Sequence, residues 1–311
     1  MTAPILKPDP NAIARAVACL RAGDLVAMPT ETVYGLAGDA ANPAAVARIY
    51  EVKERPVFNP LIAHVASAKA AFAQGDFSER AKSLAAAFWP GPLTFVVNAI
   101  AETTVCDLAR AGLATLALRV PAHPVARDLL SQVGTPLVAP SANPSGKISP
   151  TRADHVAGDL GEKIDLILDG GPCEVGVEST VIDARGEAPI ILRPGSISEA
   201  AIDAIWPGAS AGAGSGAPIS PGQLLRHYAP EARLRLDAEA ALEGEALLGF
   251  GAVDAAENLS PDGSLPEAAA NLFAMLRKLD TAHDRIAVSP IPRTGLGLAI
   301  NDRLERAANR D

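Results

Sequence analysis

At 311 residues the chain is long enough for two domains rather than one. It is 49% hydrophobic but only 4% aromatic, so small aliphatic side chains must fill its interior. A net charge of -9, split as -5 before Gly208 and -4 from there on, gives neither part the basic surplus of a protein that grips nucleic acid by its phosphates.

No run of about eighteen apolar residues is free of charge, which excludes a membrane-spanning helix. The opening MTAPILKPDPN lacks the charged and then apolar regions of a secretory signal. Cys19, Cys106 and Cys173 lie far apart, without CxxC or His/Cys ligand spacing. That argues against a disulfide framework or zinc site and for a reducing cytoplasm.

In chain order, Asp9 caps a helix over 9–21 that Gly23 stops, and 24–28 reads as a strand. PTETVYGLAGDA follows it. Asn42 then caps an amphipathic helix over 43–55 with Pro43 at its first position. KERPVFNPL places Lys53 and Arg55 where that helix gives way to a strand over 60–65. Helices are predicted over 67–72 and 78–88, the second ended by WPGP. Strands over 93–98 and 115–120, a helix over 122–132 and a strand over 136–139 lead into the polar loop PSANPSGKISPT. A helix over 154–160, strands over 165–168, 179–183 and 190–193, and a helix over 198–205 close this part.

The alternation predicts a mixed α/β sheet with packed helices. Residues 207–220 (PGASAGAGSGAPIS) have linker composition. Beyond them a smaller α/β pattern has strands near 234–236, 246–250 and 285–288 and helices over 266–282 and 298–308. The expected division is a domain over 1–207, a linker and lid over 208–231, and a small domain over 232–311.

Polar residues cluster at or just beyond strand ends: Thr30 and Thr32, Arg119, Ser141 and Asn143, and Arg193. Ligands of open α/β sheets bind outside the carboxyl ends of strands. Lys53, Arg55, Arg119 and Arg193 converging there would suit a polyanion, because burying them together without one is costly. Each arginine taken singly is better explained as salt-bridged or solvated on a sheet rim, but for four cations with these partners that reading is the weaker one. SGKIS lacks the first glycine of a phosphate-binding P-loop, the GxGxG of 212–216 follows no strand, and no GxSxG or HExxH motif occurs. Anion binders without a covalent nucleophile point to nucleotide chemistry by positioning and charge neutralisation.

The blocks PTETVYGLAGDA, KERPVFNPLIAHV, WPGPLTFVV, LALRVPAHP, PLVAPSANPSGKISPT, GVESTVID and ILRPGSI resemble, in order, the YrdC-type domain of threonylcarbamoyl-AMP synthases. RHYAP behind a Gly-rich linker resembles the long two-domain form, although Gln223, Leu224 and Leu225 depart from the family's usual residues before it. The resemblance implies a twisted open mixed sheet with a large concave face and a small C-terminal, Rossmann-like α/β domain. It implies that ATP, L-threonine and bicarbonate give L-threonylcarbamoyl-AMP and pyrophosphate, with Mg²⁺ carried on ATP and no metal ligands from side chains. The product would pass to a tRNA threonylcarbamoyl transferase complex, which modifies the adenosine beside the anticodon.

Carried over residue by residue, the resemblance makes Lys53 and Arg55 catalytic. ATP contacts fall on Arg55, Asn59, Thr115, Ser141, Asn143, Ser149 and Arg193, with Tyr228 and its neighbour His227 closing over the nucleotide. Threonine contacts fall on Thr32, His64, Arg119, Ala139 and Ser179. His64 is either such a contact or a hydrogen-bonded strand histidine. Two readings compete: an RNA-binding or ribosome-associated module using the same concave face, and carbamoyl transfer in metal-centre maturation, which normally brings Cys clusters absent here.

Overall fold

The protein is described from a computed structural model that covers residues 2–212 and 227–309. The first domain contains β1 (Ile5–Leu6), α1 (Pro10–Ala22), β2 (Val26–Met28), β3 (Gly35–Asp39), α2 (Pro43–Lys53), β4 (Ile62–His64), α3 (Ala68–Phe72) and β5 (Gly75–Asp76). It continues through α4 (Glu79–Phe88), β6 (Leu93–Ala99), β7 (Thr115–Arg119), α5 (Pro124–Val133), β8 (Leu137–Val138), α6 (Ala153–Leu160) and β9 (Leu166–Leu168). Then come β10 (Thr180–Asp183), β11 (Ile190–Arg193), α7 (Glu199–Asp203) and β12 (Ser210–Ala211). The second domain holds β13 (Arg233–Arg235), β14 (Ala246–Gly249), β15 (Glu257–Asn258), α8 (Leu265–Asp280), β16 (Arg285–Val288) and α9 (Leu296–Ala308).

Capping chemistry sets the helix ends as the sequence predicts. The Asp9 carboxylate accepts from Ala12 N, and Gly23 takes a left-handed φ of 89° that terminates α1. Asn42 caps α2 through Ala44 N and Ala45 N, with Pro43 at its first position. The strands missed from sequence are β1, β3, β5, β12 and β15. Four of these are two-residue pairings with no period to detect. β3 (GLAGD) is buried along nearly its whole length, so it lacks the alternation that marks a half-exposed strand.

The large mixed sheet runs β1-β9-β2-β3-β8-β4-β7-β6-β10-β11-β12, with β5 beside β6. Neighbours reverse direction often: β4 is parallel to β7 but antiparallel to β8, and β6 is antiparallel to β7 but parallel to β10. Carboxyl ends of strands therefore do not share one edge, and the expected crevice outside them is corrected to a site on one face.

Register identifies that face. His64 pairs with Leu137 and Arg119, and Ile62 with Ala117, which pairs with Val96. Over β9, β2, β3 and β8 it is covered by α1 and α5, whose Leu20, Leu129 and Leu130 pack on Val26, Met28, Leu137 and Leu166. Farther along, Ile62, Val96, Ala117, Val181 and Leu192 form a separate small apolar floor. The opposite face carries the largest core, built with α2, α4 and α6 around Ile49, Leu84, Phe95 and Leu118.

The second domain is an all-parallel sheet, β13-β16-β14-β15, backed by α8 and α9. Its core takes in Val33, Ile148 and Val177 from first-domain loops, so the two domains share apolar packing. Arg277 of α8 also forms an ion pair with Asp159 of α6 at 2.6 Å. Most of the linker-like stretch lies outside the described residues, and the large sheet extends to Ala211, past the expected boundary at residue 207.

Gly176 permits a close backbone approach between the domains. A Cβ there would stand 2.3 Å from the Ala269 carbonyl oxygen and 2.4 Å from Ala270 Cα, and its φ is +75°. Gly176→Ala is expected to destabilise the protein by roughly 2–3 kcal/mol through backbone overlap that no rotamer relieves. A lowered urea midpoint at unchanged slope checks this; an unaltered midpoint contradicts the tight docking.

Candidate active site

Between the apolar floor and the second domain lies a cavity of roughly 560 Å³, its open mouth included. Its lining includes Thr30, Thr32, His64, Arg119 and Ala139 together with Arg55, Ser141, Glu178, Ser179, Arg193, His227 and Tyr228. The turn after β2 is built by Thr30, whose Oγ1 donates to the Val33 carbonyl at 2.6 Å. That turn presents Thr32 Oγ1 to Arg119 Nη1 at 2.9 Å. Arg119 Nε donates to the Gly91 carbonyl, and Nη2 lies 2.7 Å from Glu31. Burial works to raise the Glu31 carboxyl, but the Arg119 guanidinium outweighs it and holds the group below its usual range. Beyond that ion pair Arg119 Nη2 makes no hydrogen bond of good geometry among the described residues.

His64 stands opposite Arg119 in the β4–β7 register. Burial, reinforced by the nearby Arg119, lowers its pKa to about 3, so the ring is neutral. Its Nδ1 lies 3.2 Å from the Ile62 carbonyl and must be the donor there, which leaves Nε2 as an acceptor.

Arg55 and Arg193 are held differently. Arg55 donates to the carbonyls of Asn59 (3.2 Å) and Pro60 (3.1 Å). Arg193 donates through Nε and Nη2 to the Ser179 carbonyl and through Nη2 to Ser179 Oγ at 3.1 Å. Among the described residues neither has a carboxylate within ion-pair distance. Burial pushes Arg55 down to about 10 and lowers Arg193 as well, which Tyr228, Glu178 and Asp302 offset only in part. Gly195 lets the chain after Arg193 lie against this site, because a Cβ there would sit 2.3 Å from Thr180 N.

Lys53 is placed otherwise than expected. It is 1% exposed, and its ammonium donates to the carbonyls of Ser141 and Asn143 instead of facing the cavity. There it anchors the 141–143 loop; burial, then the neighbouring Arg55, drive its pKa well down. Asn143 serves the same loop, donating to the carbonyls of Pro144 and Lys147. Asn59 acts through its carbonyl on Arg55, and Ser149 Oγ donates to Glu178 at 2.6 Å. Thr115 shares a face with Arg119 but begins β7 where Arg119 ends it, and it lies outside the cavity lining.

Tyr228 has a φ of 63°, and its ring stacks on Phe273 at 5.5 Å. His227 meets that ring edge-on at 4.0 Å. Tyr228 OH and His227 Nδ1 are buried without hydrogen-bond partners among the described residues. Burial raises the tyrosine to about 12 and lowers the histidine to about 3.

Sequence reasoning missed Glu31, Glu178 and Arg303. Glu178 lines the cavity and forms an ion pair with Arg303 Nε at 2.8 Å. One legible signal existed: Arg303 occupies an apolar-face position of α9 between Ile300 and Ala307, where a charge demands a partner.

Fold and site define a two-domain α/β protein with an arginine-lined cavity on the open half of a sheet face. Residues 18–195 match a family model described as "Telomere recombination", and residues 197–309 match one described as "Threonylcarbamoyl-AMP synthase, C-terminal domain". A threonylcarbamoyl-AMP synthase of Bacillus subtilis is 40% identical over 96% of this chain and 93% of its own. That of Schizosaccharomyces pombe is 37% identical over 96% and 88%. The crystal structure of Pyrococcus abyssi Sua5 complexed with L-threonine superimposes with a TM-score of 0.89 at 38% identity, covering 99% of this chain and 97% of that one. The chain belongs to the threonylcarbamoyl-AMP synthase family and is an enzyme of that class. Among the described residues no helix is long and apolar enough to cross a membrane.

Proposed function

We propose that the protein condenses L-threonine, bicarbonate and ATP into L-threonylcarbamoyl-AMP, releasing pyrophosphate, as the source of the threonylcarbamoyl group of tRNA. The observation that carries this is the pair of buried guanidiniums, Arg55 and Arg193, that have no carboxylate partner among the described residues. The family of the chain and the threonine-complexed relative support the amino-acid half.

Threonine's amine and bicarbonate form a carbamate with loss of water, and a carbamate oxygen attacks the α-phosphorus of ATP and displaces pyrophosphate. Two anions must meet, so their repulsion is the chief obstacle. Arg55 and Arg193 oppose it at the triphosphate, acting in a dry site where charge is weakly screened. Lys53 contributes by holding the Ser141 loop, and Ser141 and Asn59 by shaping its rim. Arg119 receives the threonine carboxylate, with Thr32, Ser179 and the backbone at Ala139 nearby. Mg²⁺ enters on the nucleotide and neutralises phosphate charge when bound. The mixed-anhydride product is labile to water, and His227 and Tyr228 close the wall beside it. The N-terminal domain, linker and C-terminal domain then act as catalytic body, lid and anchor in the cytoplasm, with the product handed to a transferase complex.

Pyrophosphate release from ATP and Mg²⁺ should require both threonine and bicarbonate. Release indifferent to threonine removes the substrate assignment. Tight, steeply salt-dependent tRNA binding without ATP consumption would favour an RNA-binding module instead.

A further inference from the structure

The second domain reaches the cavity wall through one charged side chain. Arg303 of α9 is 1% exposed. Its Nε donates to Glu178 Oε2 at 2.8 Å, and Glu178 Oε1 accepts from Ser149 Oγ at 2.6 Å. Arg303 Nη1 donates to Asp302 at 2.6 Å, and Asp302 also accepts from Arg306 Nε at 2.9 Å. The guanidinium lies 5.4 Å from the centroid of the Tyr228 ring. Charges therefore alternate along Glu178, Arg303, Asp302 and Arg306, and the line crosses the domain boundary at the cavity.

Glu178 is an awkward neighbour for an anion site. It lines the same cavity as Arg55 and Arg193, and the adjacent Ser179 is what Arg193 donates to. An unpaired carboxylate there would repel phosphate and draw Arg193 toward itself. We propose that Arg303 is a positioning residue supplied by the C-terminal domain: by engaging Glu178 it keeps that carboxylate off Arg193, leaving Arg193 available to a phosphate of the nucleotide. Through Glu178 it also fixes Ser149. Burial opposes the Glu178 anion, yet Arg303, Arg193 and Ser149 together bring its pKa to about 2, so the charge persists at working pH. The C-terminal domain thus completes the site as well as packing against it.

This inference rests on the ATP reading above, and its test separates the two. Full-length wild type, Arg303→Gln, Glu178→Gln, the double variant and Asp159→Asn are compared for threonine-dependent pyrophosphate release, for KM of ATP and of threonine, and for thermal midpoint. Asp159→Asn controls for loosened docking, since it breaks the Arg277 pair across the same boundary outside the cavity. Arg303→Gln is expected to raise KM for ATP by about 30-fold or more, as for loss of one partner of a buried charge pair, with KM for threonine unchanged. Adding Glu178→Gln should recover most of that loss, because the offending charge is gone.

A double variant as impaired as Arg303→Gln overturns the proposal. So does a parallel rise in both KM values that Asp159→Asn reproduces. Should Arg303→Gln not fold, the double variant carries the test: near-wild-type KM for ATP supports the proposal, and its failure to turn over overturns it. An inactive wild type would instead remove the ATP reading itself.

Discussion

Arg55→Ala and Arg193→Ala should each lower kcat/KM for ATP by about 10²–10³, some 2.7–4 kcal/mol of transition-state stabilisation, the cost of removing one preorganised donor from a dry site. Both side chains are buried, and both donate only to neutral acceptors among the described residues. Each truncation takes a donor from neutral carbonyls, those of Asn59 and Pro60 for Arg55 and that of Ser179 for Arg193, but also removes a buried charge. The expected loss is therefore catalytic, with the thermal midpoint nearly unchanged or raised. Removing an uncompensated buried charge relieves desolvation, which burial already shows by lowering both pKa values.

The Arg193→Lys variant sharpens the argument. Arg193 holds Ser179 with two nitrogens at once, and an ammonium cannot reproduce that fork. Charge would be kept but its direction lost, so an intermediate rate is expected, measured as pyrophosphate release at saturating threonine. Wild-type rates in either alanine variant would contradict the charge clamp. The contrast with Arg119 is instructive: it already has Glu31 at 2.7 Å, so it adds little net charge to the cavity and instead offers a shaped contact.

How much of this was legible in the sequence depended on locality. Helix ends were readable because caps are local: Asp9 and Asn42 act on backbone groups two or three residues away. The cavity arginines were readable because Arg55, Arg119 and Arg193 each sit at or just past the end of a recognisable helix or strand. Direction was not. Lys53 and Arg55 look equivalent in KERPVF, yet the left-handed turn at Glu54, φ 53°, sends one under the 141–143 loop and the other into the cavity. Only the fold, which brings residue 141 against residue 53, decides between them. Glu178 escaped for a related reason, because its meaning comes from Arg303, 125 residues away and in the other domain.

Acid should destabilise the protein well above the range where carboxylates titrate. His64 and His227 are buried and neutral, with pKa values brought to about 3 from an ordinary 6.5. For a depressed group the unfolded chain takes up the proton first, so stability is intact above pH 6.5 and is lost as pH falls from there toward 3. Each histidine then contributes a loss of about 1.4 kcal/mol per pH unit. Two together cost roughly 5 kcal/mol between pH 6 and pH 4, comparable with the whole stability of many domains. Glu178 adds to this only below pH 4.5, as conditions approach its own value of about 2. Urea midpoints at successive pH values test the slope, and His64→Asn and His227→Asn should each remove about a third of it, since burial also lowers His155 to about 4. A midpoint flat from pH 6.5 to 4.5 would mean that the two rings are not held neutral. His227 lies near Arg55, Lys53 and Arg193, which help to lower it, so a bound polyanion should oppose them, raise its folded pKa toward 6.5 and shrink its share of the acid loss.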